Sequence, residues 1–147
     1  MAAPVGGRGA ANAPKLKPMD TSMRTLSYFC FVSAALYALI GMAMGIFMAA
    51  SHDHTLSPAH AHLNLLGWVS MGIFGLFYQA APGAASRRIA KYHVAFATLS
   101  VWLLIPGVAM ANLGMNEGLA VIGSLMTIAS MALFFFIAIS TPRIANA

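Results

Sequence analysis

Four of the chain's five histidines, His52, His54, His60 and His62, fall within eleven residues. Imidazole nitrogen is a standard donor to zinc, copper and haem iron, so this cluster is where the chemistry of the chain is expected. His52 and His54 flank Asp53 in a polar stretch. They are candidates for a second metal and equally for plain hydration. His60 and His62 stand at the start of an apolar run, where an ionisable side chain is costly and a function is the default expectation.

Two residues apart on a helix, at about 100° per residue, His60 and His62 point roughly 200° apart. One helix therefore cannot direct both at a single centre. The His60 face continues through Asn64, Gly67, Met71, Gly75 and Tyr78, small and polar, and the His62 face through Leu66, Val69, Ile73 and Leu76, aliphatic. A histidine on an aliphatic face implies a protein partner outside its own bundle.

The remaining candidates are softer. Eleven methionines invite a copper reading, with Met48 nearest the histidine level and Met42, Met44, Met110 and Met115 behind it. Thioether and imidazole together suit Cu(I), although methionine is also ordinary filler in apolar helices. Trp68 and Tyr78, with Phe74 and Phe77 between them, read as flanks for a flat macrocycle or as lipid-facing aromatics. Cys30, the single cysteine, reads as a buried structural thiol. His93 follows Lys91 and Tyr92 and reads as a solvated interfacial residue, a membrane thickness away from the cluster.

The elements that position these residues follow from composition. Of 147 residues 60% are apolar and 7% charged, against roughly a quarter charged in soluble domains. Four apolar runs, at about residues 26–50, 59–81, 92–112 and 119–140, are each long enough to cross a hydrocarbon core of about 30 Å. The fold class expected is all-α, a four-transmembrane-helix up-down bundle over residues 21–147. Residues 1–20, rich in Ala, Gly and Pro, are expected to form a disordered tail, and the first run to act as a retained signal anchor.

The net charge of +5 is sorted along the chain. Arg8, Lys15, Lys17 and Arg24 precede the first run, Arg87, Arg88 and Lys91 separate the second from the third, and Arg143 follows the fourth. By the positive-inside bias both termini are cytoplasmic and the histidine cluster faces outward. The charge is a topology signal, and nucleic acid is excluded as a partner. Gly41 and Gly45, and Gly67 and Ala80, permit close helix approach.

The stretch His60-Ala61-His62-Leu63-Asn64-Leu65-Leu66-Gly67-Trp68, followed by Gly72, Gly75, Tyr78 and Pro82, resembles histidine-bearing helices in the catalytic subunit of haem-copper oxidases and nitric oxide reductases. It is also similar to NnrS-type membrane haem proteins. Tyr92-His93-Val94-Ala95-Phe96 adds a fainter likeness. That catalytic subunit has twelve helices in three arcs of four, so the resemblance implies that this chain corresponds to one arc and that a homotrimer rebuilds the assembly. It further implies haem b held by His60 of one protomer and His62 of its neighbour. The propionates would fall to His52, His54, Asn64 or Trp68, because no Lys or Arg lies on the outer side. A copper site with its cross-linked tyrosine is not recognisable.

The function expected is a haem b-binding membrane cytochrome for electron transfer or diatomic-gas binding, rather than a complete oxidase, in a bacterial-type inner (cytoplasmic) membrane. Its expected partners are the lipid bilayer, further copies of the chain and a redox partner protein. Two other classes stay open: a copper or zinc protein using His52, His54, His60, His62 and Met48, and an accessory or assembly subunit of a respiratory complex.

Overall fold

Thirty-one residues without a proline, Thr21–Ser51, wind into α1, about 46 Å long at 1.5 Å per residue and longer than the hydrocarbon core it has to cross. The computed structural model describes residues 21–142, so the tail over 1–20 and Arg143 lie outside the described residues. Helix α2 spans Ser57–Ala80, α3 Arg88–Asn112 and α4 Gly118–Ser140. All four helices are long and apolar enough to cross a membrane. The chain has the make-up of a multi-pass membrane protein.

Local chemistry ends each helix. His52 takes a left-handed backbone, φ 56°, which closes α1 as αL residues commonly close helices. Asp53 then builds the turn, its Oδ1 accepting from the Thr55 backbone N–H at 2.9 Å and the Thr55 hydroxyl at 2.6 Å. Pro58 stands in the first turn of α2, where a missing N–H costs nothing. At the other end of α2, Ala81 leaves helical geometry before Pro82, and one turn, Pro82–Ala85, leads toward α3. Beyond α3 the Met115 N–H bonds the Met110 carbonyl and the Gly114 N–H the Ala111 carbonyl. With Gly114 at φ 72° this is a Schellman stop, for which glycine carries no Cβ penalty.

Short connections make successive helices antiparallel. Helix α1 packs along α2, α3 packs along α4, and the N-terminal half of α2 packs on α3 to join the two pairs. Between α3 and α4 the backbones approach closely: a Cβ on Gly123 would stand 2.6 Å from Leu104 Cα, and one on Gly107 would strike Ala120 and Leu119. Such contact is how helices associate where lipid supplies no hydrophobic drive. Only 17–33% of the most apolar stretch of each span is buried. Most of the apolar surface is left for lipid or for partner chains.

Candidate functional site

The inner seam of the site lies between α1 and α2. Gly41 and Gly45, one helical turn apart, leave α1 bare there, and Asn64 and His60, one turn apart on α2, lie against it. A Cβ at Gly45 would stand 3.3 Å from His60 Cε1 and 3.9 Å from Nε2, while one at Gly41 would collide with the Asn64 amide. The Asn64 Nδ2 lies 3.2 Å from His60 Nε2 and donates to the His60 carbonyl at 3.1 Å. His60 is half-buried. The two glycines thus serve contact within the chain.

His62 is exposed, and its Nδ1 lies 2.7 Å from the Pro58 carbonyl. A carbonyl can only accept, so Nδ1 carries the hydrogen. In the neutral ring Nε2 is then a bare lone pair, held outward by a ring whose other nitrogen is pinned. Metal-bound histidines characteristically donate their second nitrogen to a backbone carbonyl or carboxylate in this way. The surrounding face is apolar, with Leu65, Trp68, Val69, Ile73 and Leu76 all exposed.

Immediately after His62 the backbone widens. Leu63–Ser70 is a π-helix, and the Ser70 hydroxyl reaches back five residues to the Leu65 carbonyl at 2.9 Å. Segments of this kind are uncommon and occur frequently at functional sites. Gly67, at its centre, accepts the Tyr37 ring of α1, whose Cβ and Cγ would lie 2.9 Å from an added Cβ. Met71, Gly75 and Tyr78 continue the buried side of α2, the face that also bears His60.

The other candidates are not gathered with these two. His52 and His54 are exposed in the α1–α2 loop and their rings make no hydrogen bond among the described residues. Met48 is buried in α1 and lines an apolar groove of about 270 Å³ with Met44 and Leu56. Among the described residues no three His, Cys, Asp or Glu side chains converge on one point. The four histidines therefore do not form a tetrahedral cage within one chain.

Two expectations are corrected. His93 is fully buried rather than solvated, and its Nδ1 lies 2.9 Å from the Tyr78 hydroxyl. Phe134 of α4 stacks on the imidazole at 5.4 Å between centroids, and Phe74 meets it edge-on at 4.5 Å. Tyr78 and Phe74, read as flanks of a macrocycle or as lipid-facing aromatics, are core residues joining α2, α3 and α4, while Trp68 is exposed. The pairing had a signal in the sequence. Tyr78 and His93 each lie within about two helical turns of the short α2–α3 connection, one on either side of it, and an antiparallel hairpin brings such residues near one another. Cys30 is buried, in accord with a structural thiol.

The arrangement offers one pinned, outward imidazole and one inward imidazole, two residues apart on opposite sides of α2. The chain finds no match among protein families, curated proteins or solved structures.

Proposed function

We propose that the chain is a haem b-binding membrane cytochrome in which His60 of one protomer and His62 of another are the axial ligands. The observation that carries this reading is the His62 ring, its Nδ1–H fixed on the Pro58 carbonyl and its Nε2 open on an apolar, exposed face. An imidazole so prepared fits an axial ligand. His60 lies on the other side of the helix, against Gly45, so the two rings cannot share one iron within a chain. On this reading haem is held across a subunit boundary. Asn64 and Trp68 lie on the same stretch of helix, and His52 and His54 supply the outer-side polar contacts for the propionates.

Bound haem would supply one-electron iron chemistry. With both axial positions taken by histidine, electron transfer is favoured over substrate turnover. The chain's own residues hold the rings, fix the His62 tautomer and keep that face apolar. The reading includes a homotrimer that places three such four-helix units around an axis, membership of the haem-copper oxidase superfamily, and a redox partner protein. It also includes cytoplasmic termini in a bacterial-type inner membrane, following the basic residues at Arg87, Arg88 and Lys91.

The test is the visible spectrum of detergent-purified protein, oxidised and dithionite-reduced, with metal analysis of the same sample. A Soret band lost in both His60→Ala and His62→Ala is expected, with partial recovery when the two variants are mixed. Colourless protein with stoichiometric copper or zinc would favour ligation by the histidines with Met48, and protein with neither would favour an accessory subunit. Loss of haem from mixed variants as complete as from each alone would overturn sharing between chains.

A further inference from the structure

Helices α1 and α3 touch only sparingly, and between them runs an apolar groove of about 370 Å³. Leu26 and Phe29 form its α1 wall, and Ala95, Leu99 and Trp102 its α3 wall. At its inner end the Trp102 indole lies near the Tyr37 hydroxyl of α1. At its outer end stands Lys91. From Lys91 to Trp102 the helix advances about 16 Å, close to the depth of one leaflet, half of the roughly 30 Å core.

Among the described residues the charge at the mouth has no counter-ion. Lys91 is exposed and makes no hydrogen bond or ion pair among the described residues, and Arg88 lies one turn before it on the same face. The described residues hold two acids, Asp53 and Glu117, both in loops at the opposite membrane face. The groove therefore combines an apolar trough about one leaflet deep, with Trp102 at its far end, and an ammonium at its mouth that no described residue neutralises.

We propose that this groove binds one acyl chain of an anionic phospholipid, whose phosphate is held by Lys91. Basic residues between transmembrane helices at the membrane surface are the recurring means of holding such headgroups. The site lies on the other membrane face from His60 and His62 and does not depend on haem.

The test is native mass spectrometry of the delipidated full chain in mild detergent, with phosphatidylglycerol or phosphatidylcholine added back. One phosphatidylglycerol per chain is expected to be retained at concentrations where phosphatidylcholine is lost. Lys91→Gln, at an exposed position that folding does not depend on, should weaken retention about fivefold. Ala95→Phe keeps the charge but fills the trough, and should abolish retention. Arg87→Gln removes a neighbouring charge that bonds Ser140 at 2.8 Å instead, and should leave retention unchanged. Equal retention of the two lipids, equal losses in the Lys91 and Arg87 variants, or undiminished binding in Ala95→Phe would overturn the proposal. So would a change in the number of chains per complex in Ala95→Phe, because the trough would then be a protein interface.

Discussion

The Tyr78 hydroxyl lies 2.9 Å from His93 Nδ1, and both residues are almost wholly sealed from the surface, at 1% and 0% exposure. This one bond joins α2 to α3 inside a wall of Phe74 and Phe134. Among the described residues His93 Nε2 is already without a partner, so removing the tyrosine hydroxyl leaves both ring nitrogens unpaired. Tyr78→Phe is expected to cost about 1–3 kcal/mol, the penalty for orphaning a buried polar group. Unfolding in mixed detergent micelles measures it. The double variant Tyr78→Phe/His93→Leu should cost less than the two single changes added together, because no polar atom is then stranded. Full additivity would show that the bond does not hold the helices.

The seat of His60 gives a second prediction. A Cβ at Gly45 stands 3.3 Å from the His60 ring, and valine adds two methyl groups that the seam has no room for. Gly45→Val is expected to displace the imidazole and, on the haem reading, to lower the Soret absorbance several-fold while helicity is retained. Gly72→Val is the matched control on the helix that carries His60, since nothing lies within 4 Å of a Cβ there. Equal absorbance in both variants would mean that the seam does not position the ligand.

These two cases also mark what the sequence alone discloses. The spans were legible because hydropathy over about 20 residues is a local property, and the expected 119–140 meets the observed Gly118–Ser140 within a residue. The opposed settings of His60 and His62 were legible from helical angle alone. The depth of His93 was not, because adjacent lysine and tyrosine describe its chain neighbours, whereas Tyr78, Phe74 and Phe134 reach it from two other helices. The π-helix at Leu63–Ser70 was hidden for a different reason. Residues 60, 64, 67, 71, 75 and 78 keep ordinary α-helical spacing, and a change in backbone bonding leaves no mark on that pattern.

Contact between α3 and α4 depends on two missing side chains. On Gly123 a Cβ would lie 2.6 Å from the Leu104 backbone, and on Gly107 it would meet the Leu119 and Ala120 backbones. A backbone cannot rotate aside as a side chain can, so the helices must separate. Gly107→Ala and Gly123→Ala are each expected to destabilise the chain by about 1–3 kcal/mol, the usual cost of overpacking. Gly83→Ala, with nothing within 4 Å, should fall within about 0.5 kcal/mol of the parent. Detergent unfolding midpoints rank them, and a neutral Gly107→Ala would refute so close an approach.

The α1–α2 loop supplies the pH dependence. Hydrogen bonds from the Thr55 hydroxyl and backbone N–H, with a smaller contribution from nearby His54, hold the Asp53 carboxyl below its ordinary range. A group whose pKa is lowered on folding contributes its stabilisation above the unfolded value and loses it as pH falls through the folded value. The turn should therefore persist through neutral and mildly acidic pH and loosen only below the usual carboxylate range. Thr55→Val removes the hydroxyl donor and keeps the backbone one, so the Asp53 titration should move up part of the way toward an unperturbed carboxylate. Carbon-detected NMR of the Asp53 carboxyl follows it directly. If Thr55→Val leaves that titration in place, the hydroxyl bond is not what anchors the loop that carries His52 and His54.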